Sequence, residues 1–159
     1  MDPNRFKRLR KNLQRQVSWG QYALLAVLAV SFLNQIMLWL GIDYHFLVSA
    51  AMPYYINWMA RQLSSGSFAV AATVVTLALY GAYGLCLLKS YEPQWFKAGM
   101  LLYAADTVLL LVFALALLEN PVSCLLELIV HGAVLVLLWQ AWRARQRLQR
   151  LAARMPEGQ

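Results

Sequence analysis

Charge is scarce in this sequence, and the scarcity is more informative than any motif. Asp, Glu, Lys and Arg make up 13% of the 159 residues, against 61% hydrophobic. That is about half the charged share of a soluble domain. Cysteine is nearly missing as well: Cys86 and Cys124 are the two present, with no CxxC between them. The absence of CxxC argues against a membrane thiol oxidoreductase, and zinc-ligand and haem-attachment spacings are missing too. No phosphate loop, dinucleotide fingerprint or nucleophile elbow occurs, so nothing supports an enzyme of those classes and nothing calls for a cofactor or a resident metal. Period-2 alternation is lacking in runs such as TVLLLVFALALLE, which excludes a spanning β-barrel.

What is present is length enough for one domain and four apolar runs free of Lys and Arg: roughly Trp19–Leu40, Phe68–Leu88, Ala98–Leu118 and Val122–Trp142. About 20 apolar residues cross a hydrocarbon core, and in lipid only helices or closed barrels satisfy the backbone. The fold class expected is therefore an all-α membrane protein, a bundle of four transmembrane helices. Cys86 and Cys124 then sit near opposite faces, which excludes an intrachain disulfide. The apolar stretch of the first run exceeds an ordinary signal-peptide core and is read as a retained span, despite the Val48-Ser49-Ala50 triplet.

The net charge of +7 belongs to the two ends. Thirteen of the 14 Lys and Arg fall before the first span, between the second and third, or after the fourth, whereas the first loop holds Arg61 alone. Positive charge remains on the cytoplasmic side, so both termini are expected there, in a plasma (inner) membrane. The basic ends would meet anionic lipid headgroups. No recognition module accompanies the charge, and nucleic acid is excluded as a partner.

Around the spans, residues 1–18 read as a basic amphipathic helix for the inner surface, with Phe6, Leu9, Leu13 and Val17 at helical spacing. Residues 143–159 read as a basic tail continuing the fourth span. The first loop, 42–65, is too short for two spans and too aromatic for a free loop. It is expected to form a broken interfacial helix, lying on the outer surface or dipping partway in, one piece over Tyr44–Ala51 capped by Asp43 and a second over Pro53–Gln62, with Pro53 at the break. Such a segment either covers the outer end of the bundle or acts as a lid. On the second span, Ala71, Val75, Ala78 and Ala82 form a small-residue face suited to close approach by another span, a second copy or another membrane protein.

The functional candidates are the polar groups inside the spans. Ionisable residues there are costly, so they pair, stay neutral or mark a pathway. Asp106, Glu127 and His131 are those residues. At about 1.5 Å per residue, Asn34 and Gln35 lie level with Glu127, Thr73 and Thr76 near Glu127 and His131, and Tyr80 near Asp106. Glu127 and His131 share one helix face, a spacing that can hold a histidine tautomer, pass a proton or chelate a metal. Asp106 is expected to reach His131 directly, through Tyr80 or through water. A second cluster, Asp43, His45 and Glu119, would lie at the outer surface.

The stretches FLVSAAMPYY, LYAADTVLLL and LIVHGAVLVLLWQAWRARQRL make the chain similar to a group of small bacterial four-span membrane proteins. The pattern of that group matches at Asp106, His131, Ser49 and Pro53. The resemblance implies a bacterial plasma membrane and no particular activity. The function expected is transporter-like or accessory, with Asp106, His131 and Glu127 as a proton-responsive polar site. The alternatives are a structural or regulatory membrane subunit and a metal-dependent membrane enzyme.

Overall fold

The first apolar run does not start a helix of its own. In the computed structural model, which describes residues 3–42, 44, 46–63, 66–117 and 121–153, one helix, α1 (Pro3–Trp39), carries both the basic N-terminal segment and the span. It is followed by α2 (Ala51–Gln62), α3 (Gly66–Leu88), α4 (Pro93–Leu117) and α5 (Pro121–Ala152), with no strand among the described residues. The four long helices are apolar enough to cross a membrane. The chain is thus an all-helical, multi-pass membrane protein by composition and length.

The N-terminal segment differs from a surface-lying helix for a packing reason. Leu13 and Val17 are buried in one apolar cluster with Ala141 and Ala144 of α5, and Leu148 and Leu151 pack against it. The extension of α1 and the basic tail of α5 therefore cover each other's apolar stripes. Their charged faces remain outside. The α1–α5 pairing is the most extensive helix contact in the molecule, followed by α4 on α5. At the crossing, Gly20 lets α1 approach closely: a β-carbon there would run into Ala141 and Phe96.

α1 ends at the opposite pole in a glycine stop. Gly41 adopts a left-handed φ of 77°, and the amides of Gly41 and Ile42 donate back to Leu38 and Met37. This pairing satisfies the last carbonyls of a helix. Arg61 of α2 adds its guanidinium to the Leu38 carbonyl.

The connection after α1 departs from the expected broken helix. Tyr44, Phe46 and the residues up to Ala50 are not helical; a single helix begins at Ala51. Pro53 does not break that helix. It occupies the third helical position, within the first turn, where a missing N–H costs nothing. Of the two placements expected for this segment, burial of Ala51, Tyr54, Tyr55, Asn57 and Ala60 suits the one that dips inward. The start of α2 packs against the middle of α4, and Tyr55 stacks on Phe113 at 5.3 Å. The small-residue face of α3 turns outward, with Ala71, Val75 and Ala78 exposed.

Candidate functional site

A helix start buried among other helices needs partners for its first amides, because water cannot supply them. α2 has a poor N-cap of its own: Ala50 carries no side-chain acceptor. The rest of the fold provides the acceptors. The Ala50 N–H donates to Ser31 Oγ of α1 at 2.7 Å. The Ala51 N–H donates to Asp106 Oδ2 at 2.8 Å and the Met52 N–H to Asp106 Oδ1 at 2.7 Å. The next residue is Pro53, which has no N–H. The four leading positions of α2 are thereby accounted for, two of them by one carboxylate from α4. A carboxylate also complements the positive end of the helix dipole. Asp106 is 1% exposed.

This geometry corrects the expected Asp106–His131 pair. Asp106 faces the α2 backbone, and His131 bonds elsewhere. His131 Nδ1 lies 3.0 Å from Thr107 Oγ1, and its ring stacks on Tyr103 at 4.8 Å. The Thr107 hydroxyl donates to the Tyr103 carbonyl. Which of Thr107 Oγ1 and His131 Nδ1 donates in this contact depends on the His131 tautomer. Nε2 has no hydrogen-bond partner among the described residues, although the ring lies beside the Ser49 backbone. Glu127 is buried within electrostatic reach of His131, Asp106 and Tyr103. Asp106, Glu127 and His131 thus share one layer without bonding as a triad. Among the described residues, no three His, Cys, Asp or Glu side chains converge as metal ligands would.

Tyr80 does not bridge Asp106 and His131. Its hydroxyl donates to the Ser31 carbonyl on α1 at 2.8 Å. Thr73 does not join these groups; it bonds the Ala69 carbonyl of its own helix and is half-buried. Thr76 does join the interior. It accepts from Asn57 Nδ2 at 2.5 Å, and that amide also reaches Gln35 Oε1 and the Pro53 carbonyl. Asn34 clamps the coil before α2: its Oδ1 accepts from the Phe46 N–H, and its Nδ2 donates to the Phe46 carbonyl and Ser49 Oγ. Of the outer candidates, Ser49 and Pro53 therefore belong to the buried α2 entrance, whereas Asp43, His45 and Glu119 lie outside the described residues.

Sequence reasoning missed Ser31, Asn57, Thr107, Tyr83 and Tyr103. Ser31 had a signal: it falls three and four residues before Asn34 and Gln35, which puts all three on one face of α1. Asn57 stood out as the one amide in an aromatic stretch. Tyr83 and Tyr103 are buried within electrostatic reach of Asp106; as tyrosines in an apolar run they gave no such indication.

What the arrangement can do chemically follows from the Asp106 carboxylate. Ionised, it is an acceptor at both oxygens and holds two amides. Protonated, it has one acceptor oxygen and one O–H that opposes an amide donor. Protonation of Asp106 would therefore remove one of the two acceptors that seat the start of α2. No protein-family model, no curated protein and no solved structure matches this chain.

Proposed function

We propose that this protein is a transporter-like or accessory protein of a bacterial plasma membrane, in which Asp106 is a proton-responsive latch on a re-entrant half-helix. Both termini face the cytoplasm in this reading, and the four long helices form the spanning bundle. The observation that carries it is the pair of hydrogen bonds from Ala51 and Met52 to Asp106. Asp106 stands 11 residues from the last residue of α4, roughly 17 Å along its axis. The chain between α1 and α2 therefore descends to about mid-membrane, and α2 returns to the outer side. Half-helices that start near the midplane are a recurring way of building substrate and ion sites in transporters.

Loss of the Asp106 charge would loosen the start of α2 and the coil held by Asn34. His131 and Glu127, in the same layer, supply neighbouring groups through which a proton could be shared. A structural or regulatory subunit is the second reading. Its support is the mutual pairing of Asn34, Ser49, Gln35, Asn57 and Thr76, which suits a fixed polar core.

Hydrogen exchange on the protein in lipid nanodiscs separates the two, measured from about pH 8 down to pH 5 and corrected for intrinsic exchange. Protection of the α2 amides should fall as the pH falls in the wild type. It should be low and independent of pH in Asp106→Asn. A wild-type α2 whose protection does not move with pH would eliminate the latch and leave the subunit reading.

A further inference from the structure

The end of the molecule that carries the termini holds a second feature, unconnected with Asp106. Where α4 begins beside α5, a groove of about 590 Å³ is lined by Glu92, Lys97, Trp142, Gln146, Gln149 and Arg150, among others. Its level is set by the crossing of Gly20, Phe96 and Ala141. Trp142 follows Ala141 and stands where the fourth apolar run gives way to arginines, the usual height of an interfacial tryptophan.

The charges in this groove are ordered along the helix axes. Lys97 lies one turn inside α4, towards the apolar spans, and Glu92 precedes Pro93, the first residue of that helix. Going outwards, a cation is followed by a carboxylate about 7 Å further on. A phospholipid at that height presents its groups in a matching order: the phosphate lies nearest the acyl chains, and any amine lies beyond it. Glu92 is held by Gln94, whose Nε2 donates to Oε2 at 2.7 Å. The other carboxylate oxygen remains an acceptor. On α5, Gln146 and Gln149 add amide oxygens and N–H groups; Arg145 is level with Tyr91, whose carbonyl it bonds, so Arg150, five residues on, stands at the outer end of the groove.

We propose that this groove holds the headgroup of a zwitterionic phospholipid with a primary ammonium, of the phosphatidylethanolamine type, drawn from the leaflet on the side of the termini. Lys97 meets the phosphate, and Glu92 accepts from the ammonium. A choline headgroup has no N–H to give Glu92, and a glycerol headgroup has no cation. Free phosphate would occupy half of the site.

The test uses the full chain in mild detergent, with thermal unfolding followed against added dioleoyl phosphatidylethanolamine, phosphatidylglycerol, phosphatidylcholine or inorganic phosphate. Native mass spectrometry counts the lipids bound to each variant. Phosphatidylethanolamine should bind about tenfold more tightly than phosphatidylcholine, the scale of one charge-assisted hydrogen bond. Glu92→Gln should erase that preference, and Lys97→Gln should weaken all three lipids. Both side chains are on the surface, so both variants should elute and unfold as the wild type does without lipid. Equal stabilisation by the three lipids would overturn the proposal. So would an intact preference in Glu92→Gln, or a shift reproduced by phosphate alone.

Discussion

Replacing Asp106 by Asn is the most informative perturbation of the fold, and an amide is not a neutral substitute at this position. The wild-type carboxylate accepts two backbone N–H groups, at 2.8 and 2.7 Å, in a site where Asp106 is 1% and Ala51 2% exposed. Hydrogen bonds to a charged group contribute about 1.5–3 kcal/mol each, and an orphaned buried donor costs about 1–3 kcal/mol. Asn keeps one acceptor oxygen, so one bond survives in neutral form. Its NH2 then opposes the other amide, donor against donor. The bond that is retained offsets part of this, and the expected loss is about 2–4 kcal/mol. That exceeds the typical cost of about 1 kcal/mol for an N-cap replaced by Ala. Reversible unfolding in mixed micelles reads the change. Asp106→Ala should cost more than Asn, because both amides lose their acceptor. Asp106→Glu should fall between Asn and wild type, since it keeps the carboxylate but adds a methylene to a packed layer. An Asn variant within about 0.5 kcal/mol of wild type would show that the α2 start does not depend on this carboxylate. Loss of cellular function in Asp106→Asn cannot by itself identify proton transfer, because the amide disturbs the cap as well; the pH response of the wild type carries that distinction.

Asn57→Ala should lower stability by about 1–3 kcal/mol by the same unfolding assay, since it strips partners from Gln35 and Thr76 at once. Gly20→Leu should separate α1 from α5 at the Ala141 and Phe96 contact and cost about 1–3 kcal/mol or more; an unchanged unfolding midpoint would contradict the close approach. For sidedness, a cysteine at Leu63, 60% exposed, should react with an impermeant maleimide from outside intact cells, and one at Gln94 should react only after lysis. The reverse pattern would invert the proposed orientation.

The sequence by itself determined that the chain is helical and where its four long apolar helices lie, because continuous apolar runs and the exclusion of Lys and Arg are local properties. It also picked out Asp106, Glu127, His131, Asn34 and Thr76, all of them buried, since an ionisable or polar group in an apolar run is conspicuous without any coordinates. It could not assign their partners. Asp106 was matched to His131 because both can ionise, whereas its partners are two backbone amides of Ala51 and Met52, and every residue has such a group. Those amides became available only because α2 begins at Ala51, in the interior, with Ala50 unable to cap it. The tertiary structure also decided that residues up to Val17 join α1 and that the small face of α3 points outward. In each case the deciding term is what a stripe packs against, and the pattern along one helix does not contain the identity of its neighbour.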